Sequence, residues 1–409
     1  MNLIERMKKS FGFDRVSDGF LKFFYTHTGF LVFTNLHDVF INTLLFRYTG
    51  DSNIVMRFNI YMYLFWGVIF AASVVLAKKR SPVACMRFGI ISYILMYITF
   101  FACINFLDKS VPLLALLAGA GGGCYWLSNS INLGEYADEE SRDAGMGLIG
   151  VGGGIVSLCM PFFSGLIISR FEGLTGYLVV FALALVVAVI TILISLSLPP
   201  VQMQDTNVYY KEATKLCIYD PIFRDLMISS SIKGIRDGTM GFFLSVLLYE
   251  VITDEFVVGV NTLLAGIAAI LCSMVYGRLV NSKNRIKWMY WSTHALMLGA
   301  LLLLKLTPAA IILMSIINAV FRFYLMNPCA GVYYSMLVRP ELSKMAYEFH
   351  GIKEIVLTFG RVGGIFFAMV MPSSMAVTVI LVLTATQYAM TWLMERSWKG
   401  YCARYGEPQ

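Results

Sequence analysis

Two stretches of this chain, residues 21–199 and 224–398, each read as six apolar helices, and they align with one another at an offset of about 202 residues. Polar residues carry the alignment, which apolar composition alone would not place. Asp138-Glu139-Glu140-Ser141-Arg142 follows the fourth span of one half, and Pro340-Glu341-Leu342-Ser343-Lys344 follows the fourth span of the other. At nearly the same offset His37-Asp38 in the first span matches Arg236-Asp237 in the seventh, and Asn59 in the second matches Asn261 in the eighth. A fold built from this sequence has to be a twofold repetition of a six-helix unit.

Hydrophobic residues make up 58% of the chain and charged residues 14%, too little polar surface to cover a soluble domain. The expected class is therefore an all-α membrane protein. Each crossing of roughly 30 Å of hydrocarbon takes about 20 apolar residues. The spans fall near 21–48, 54–77, 83–107, 112–134, 144–169 and 175–199, then 224–250, 256–280, 286–307, 309–338, 345–371 and 376–398. Twelve spans with short loops use most of the 409 residues and leave no room for a soluble catalytic domain.

Orientation follows from the basic residues. With the N-terminus inside, the outer side carries only Arg47, Arg57, Lys109, Arg170 and Lys305, while some twenty other basic residues lie on the inner side, so both termini are expected in the cytoplasm of a multi-pass cell-membrane protein. The net charge of +7 is accordingly a topology signal and not a sign of nucleic-acid binding. Residues 1–20 lack the apolar core of a secretory signal, and Leu3, Ile4, Met7 and Phe11 recur at helical spacing beside Arg6, Lys8 and Lys9. They read as an amphipathic segment on the inner membrane surface or as a frayed tail. Residues 200–223 read as a polar cytoplasmic linker between the halves, and 399–409 as a cytoplasmic tail.

The 8 cysteines are scattered singly, without metal-ligand spacing, and the 4 histidines do not cluster in sequence. No phosphate-binding loop, nucleophile elbow or HExxH sequence occurs. No enzyme activity, metal or cofactor is expected.

The whole arrangement resembles the major facilitator superfamily, with twelve spans in two halves, a cytoplasmic middle linker and inside termini, over nearly all 409 residues. The superfamily's loop between spans 2 and 3 reads Gly-x-x-x-Asp-Arg-x-Gly-Arg-Arg, whereas the stretch Val74 to Arg87 has Lys78 and Lys79 where Asp-Arg would fall. The second copy keeps Gly277 but has Asn281 in place of the acid. That acid helps lock the gated states in the superfamily, so its absence removes the usual locking pair. The resemblance implies halves related by a pseudo-twofold axis along the membrane normal, with spans 1, 4, 7 and 10 lining a central cavity. Span 5, with Gly145, Gly147, Gly150, Gly152, Gly153, Gly154, Pro161 and Gly165, partly matches the superfamily's antiporter motif. Close helix packing is the alternative reading of those glycines, as it is for Ala118 to Gly123 in span 4.

Charges in the spans carry most of the functional information, because an ionisable group at the bilayer centre costs at least about 2.5–3.5 kcal/mol. They are Asp38, Lys233, Arg236, Asp237, Arg322, Glu348, Lys353, Glu354 and Arg361. Lys233 and Asp237 are spaced i,i+4, as are His350 and Glu354, so Lys233, Lys353, Glu354 and His350 are read as ion pairs or gate elements. Asp38 has no basic residue at i±3 or i±4 and is expected to carry the coupling proton, with His37 on a different helical face. Asn42, Trp126, Asn129, Arg236, Asp237, Arg322 and Asn327 are the candidate substrate-cavity residues, Arg322 with an acidic partner such as Asp38. Aromatic faces with a few amides suit an organic solute. Repeated halves with ionisable groups near the midplane are the construction of secondary transporters. The expected function is alternating-access transport of a small organic solute, coupled to protons, by a monomer in the lipid bilayer, and five cations against four acids tilt it toward an anionic or zwitterionic substrate. Span 5 tilts it toward export. A lipid or glycolipid flippase, or a non-transporting receptor or scaffold, would use the same fold.

Overall fold

The computed structural model describes residues 17–136, 142–201, 205–252, 255–337 and 339–406. Most of the expected N-terminal surface segment, and Asp138 to Ser141 of the repeated loop, lie outside them. The helices of the first half are α1 (Asp18–Thr49), α2 (Ser52–Lys79), α3 (Pro82–Ala102), α4 (Leu107–Tyr136), α5 (Arg142–Ile168) and α6 (Thr175–Ser195). A short helix α7 (Tyr210–Tyr219) precedes α8 (Pro221–Val251), α9 (Glu255–Leu279), α10 (Arg285–Leu302), α11 (Pro308–Met336), α12 (Pro340–Ser343), α13 (Ala346–Val370) and α14 (Ala376–Tyr405).

Local chemistry sets the ends. Ser17 caps α1 by accepting the Phe20 N–H at 3.1 Å, and Asp18 adds negative charge in the first turn. Gly50 closes α1 at φ 69°, a left-handed conformation open to a residue without a Cβ, and its N–H reaches Phe46 O at 2.7 Å. Ser81 before Pro82 starts α3, and Thr307 before Pro308 starts α11, each a side-chain cap followed by a proline whose missing N–H costs nothing there.

The protein is an all-α membrane protein of twelve transmembrane helices in two six-helix halves. Eight of the twelve, α1–α6, α11 and α14, are long and apolar enough to cross a membrane on composition alone. The shortfall lies in the second half, where α8 and α13 carry most of the charges in the spans. The chain divides into two compact units, Met1–Val208 and Tyr209–Gln409. Both have the same internal pairing. In the first unit α4 packs on α2 and α3, and α1 packs on α5 and α6; in the second, α11 packs on α9 and α10, and α8 packs on α13 and α14. The twofold repetition in sequence is thus a repetition of helix pairing.

The interiors differ. The first unit is aromatic: Phe30 stacks on Tyr125 with centroids 3.3 Å apart, and Phe33, Tyr93, Tyr97 and Phe181 extend the cluster. Gly119 and Gly123 of α4 let the α2 backbone come close, since a Cβ on Gly123 would stand 2.8 Å from Phe70 N and Trp66 O. In the second unit the close approach is between α8 and α13, where a Cβ on Gly238 would lie 2.9 Å from Arg361 Cα and one on Gly360 would strike Ser231 O.

Two expectations about connections change. The stretch expected as a polar linker contains α7, an amphipathic helix of nearly three turns whose buried Ala213 and Cys217 pack toward α8. The expected tail continues α14 as far as Tyr405, because Tyr401 is buried and Arg404 pairs with Asp220 ahead of α8. Close packing accounts for part of span 5: a Cβ on Gly152 would stand 3.0 Å from the Phe24 ring and one on Gly153 3.4 Å from Leu31, both on α1, whereas one on Gly150 or Gly154 would meet nothing within 4 Å and one on Gly165 only ordinary contact with Phe40 at 3.8 Å.

Candidate functional site

In the first unit α1 holds Asp38 with its side chain 62% exposed, and His37 Nε2 lies 3.0 Å from Asp38 Oδ1. The residue expected on a different helical face therefore reaches back to its neighbour. His37 itself is buried among Tyr93, Tyr97 and Phe181. Its Nδ1 stands 2.7 Å from the Tyr97 hydroxyl and 3.0 Å from Phe33 O. The imidazole thus links an exposed carboxyl to a buried phenol on α3, and the tautomer it adopts decides which neighbour donates. Tyr97 was not legible as a polar partner among so many aromatic residues; the signal was His37 itself.

In the second unit Asp237 is nearly enclosed, its side chain 11% exposed, with Lys233 Nζ at 2.6 Å and Arg322 Nη2 at 3.5 Å. Within this unit the acid that engages Arg322 is Asp237. Arg236 is 2% exposed and donates to Asn318 Oδ1 at 2.6 Å. On α13, Arg361 donates to Glu354 Oε1 at 2.8 Å, two turns apart, in place of the His350–Glu354 pairing that the i,i+4 spacing suggested. His350 packs instead at a tilt against Tyr333 and Tyr334, with centroids 5.2 and 5.4 Å away. Lys353 Nζ sits 3.8 Å above the Tyr333 ring. Glu348 accepts the Tyr209 N–H at 3.0 Å.

The remaining candidates divide between the units. Asn42 accepts from Asn59 Nδ2 at 2.9 Å, joining α1 to α2. Trp126 stands edge-on to His27, Phe30 and Tyr125. Asn129 is buried with an Oδ1 that has no hydrogen-bond partner among the described residues. Asn327 is half-buried on α11, beyond Arg322. On either side of the connection between α2 and α3, Lys78 at the end of α2 donates to Asn207 O at 2.7 Å, and Arg87 in α3 donates to Ser195 O at 2.7 Å, placing a cation at the carbonyl end of α6. Basic residues therefore anchor this loop to the end of α6 and to the segment after it, without the superfamily's acid.

Two repeated six-helix units with charged groups strung along their helices define a polytopic membrane transport protein. A profile of the Major Facilitator Superfamily matches residues 58–354, and the chain belongs to that superfamily. It is a secondary transporter and not an enzyme. The uncharacterized protein YqgE of Bacillus subtilis (strain 168) is 23% identical over 367 residues, 88% of this chain and 84% of that protein. A bacterial homologue of the iron transporter ferroportin in its outward-facing state shares the fold with a TM-score of 0.70, at 13% identity over 93% of this chain and 98% of the other. The E. coli fucose:proton symporter does so with a TM-score of 0.65, at 13% identity over 92% and 98%. At these identities the solved structures speak for the fold alone.

Proposed function

We propose that this protein moves a small organic solute across the cell membrane by alternating access of its two halves, with Asp38 as the proton-coupling acid. The carrying observation is the hydrogen-bonded chain from exposed Asp38 through buried His37 to Tyr97. With Asp38 ionised, its carboxylate accepts from His37 Nε2–H and leaves Nδ1 to accept the Tyr97 O–H. With Asp38 protonated, its O–H donates to Nε2, Nδ1–H turns to Phe33 O, and the two helices α1 and α3 exchange one hydrogen-bond pattern for another. A proton on an exposed carboxyl is thereby felt inside the unit. The surplus of basic residues on one side of the sequence supports cytoplasmic termini. Glycines of α5 that no neighbour's packing requires support a sliding surface of the antiporter kind, and with it export.

The test is flux in proteoliposomes, using a solute selected by thermal-shift screening of the purified protein. Wild-type protein concentrates the solute in response to a pH gradient. Asp38→Asn, a mimic of the protonated acid, exchanges solute but does not concentrate it. If the variant still accumulates solute against its gradient, Asp38 is not the coupling site.

A further inference from the structure

We infer that the transported solute is an organic oxyanion, carrying a carboxylate or a phosphate, and that the charged helices α8, α11 and α13 of the second unit hold its anionic group; this rests on the transporter reading above. Asp237 is a single carboxylate serving Lys233 at 2.6 Å, Arg322 at 3.5 Å and, within electrostatic reach, Arg236. Arg236 has a neutral amide, Asn318, as its hydrogen-bond acceptor. Glu354 is taken by Arg361, and Lys353 rests on the face of Tyr333 with no carboxylate at ion-pair distance among the described residues.

The other two acids in the spans are Asp38 and Glu348. Asp38 belongs to the first unit and has His37, and Glu348 is bonded to the Tyr209 backbone. Among the described residues, five cations, Lys233, Arg236, Arg322, Lys353 and Arg361, therefore stand with three carboxylates, Asp237, Glu354 and the Glu348 bonded to the Tyr209 backbone. Helix interiors in a membrane do not hold such an excess without a counter-charge, since each unpaired cation there is costly. The group also presents the means of binding one. Arg322 makes its contact with Asp237 at the long end of the range and keeps 56% of its side chain exposed, so its guanidinium has N–H groups free for a planar oxyanion. Close backbone contact between α8 and α13 at Gly234, Gly238 and Gly360 keeps Lys233, Asp237 and Arg361 in one assembly. An anion bound at Arg322 would relieve the repulsion between Arg322 and Arg236 and release part of Asp237's charge to Lys233.

The experiment is a thermal-shift titration of the purified full-length protein with three probe sets at equal ionic strength: di- and tricarboxylates, sugar phosphates, and quaternary ammonium compounds with neutral sugars. At least one anionic set raises the transition temperature, and which of the two does so identifies the oxyanion. Arg322→Gln, at an exposed side chain, weakens that effect at least tenfold in apparent Kd, and Lys353→Gln weakens it less. Stabilisation by the cationic or neutral set alone, by none of the sets, or by anions equally well in wild type and Arg322→Gln overturns the inference. Asp38→Asn separates the two readings. Anion binding that survives in this variant while gradient-driven accumulation is lost upholds both, and a cation that the wild type accumulates on a pH gradient removes the oxyanion but leaves the proton coupling.

Discussion

Asp38 and Asp237 occupy matching places on α1 and α8, the first membrane-crossing helices of the two halves, and the fold gives them opposite surroundings. Asp38 is exposed, with a histidine beside it whose charge depends on a proton. Asp237 is enclosed by cations that are permanently or ordinarily charged. The helix pairing around them is the same in both units, α1 with α5 and α6, α8 with α13 and α14. What distinguishes them is the packing chemistry: aromatic rings crowd around α1, whereas glycines on α8 and α13 bring two charged helices into backbone contact. A repeated scaffold can thus place a titratable group in one half and a fixed charge cluster in the other, the separation of roles that a coupled transporter needs.

The comparison breaks most readily at the glycine contact. Gly360→Val puts a Cβ onto Ser231 O and 3.0 Å from Gly234 Cα, atoms of a backbone that cannot rotate aside. Overpacking costs about 1–3 kcal/mol and occasionally more, and against backbone the cost should fall at the upper end, so the variant is expected to be depleted from the folded fraction in detergent size-exclusion profiles. Gly154→Val, on a helix surface with nothing within 4 Å, is expected to stay within about 0.5 kcal/mol of wild type. Equal behaviour of the two variants would mean that α8 and α13 are not held by those glycines.

The two acids give the next contrast. Asp237→Asn leaves Lys233 and Arg322 facing each other without a carboxylate and is expected to destabilise the protein by about 3 kcal/mol, as removal of one partner of a buried pair does. Asp38→Asn, at an exposed site where an amide can still accept from His37, should change stability by no more than about 0.5 kcal/mol. Thermal unfolding of the two variants side by side measures the difference. A large loss at Asp38, or none at Asp237, would reverse the assignment of titratable and structural roles.

Much of this architecture was legible because apolar length and repeated polar residues are properties of single helices. Helix ends were readable where a cap marked them, as at Ser81-Pro82 and Thr307-Pro308, and less so at α4, which begins at Leu107 and runs through Pro112, the place where a break was expected. Partner choice was not legible. Glu354 could meet His350 one turn away or Arg361 two turns away, and only the positions of Tyr333 and Tyr334 on α11 decide between them by capturing the histidine. Likewise, His37 was visible beside Asp38, but the hydroxyl that completes its contacts comes from α3, about sixty residues further along. The membership of α7 and the end of α14 in the second unit depends on the burial of Cys217 and Tyr401, which no polar linker composition discloses.

Asn59 and Asn261 sharpen the comparison at the smallest scale. They correspond in the sequence repeat, yet Asn59 donates to Asn42 across α1 and α2, whereas Asn261 donates to Ser315 across α9 and α11. Interhelical hydrogen bonds of this kind in membrane bundles average about 0.6 kcal/mol. Asn59→Leu should lose roughly that amount, because Asn42 is left half-buried without its donor. Asn261→Leu removes a comparable bond but also removes an Oδ1 that is buried with no partner among the described residues, so the two changes offset one another and the net effect should lie near zero. Double-mutant cycles, Asn59 with Asn42 and Asn261 with Ser315, then separate the pair energies from the burial of the leftover carbonyl. Equal coupling in the two cycles, with unequal single-site losses, is the expected pattern. Coupling in the first cycle alone would show that the repeated asparagine joins helices in the first unit and is merely buried in the second.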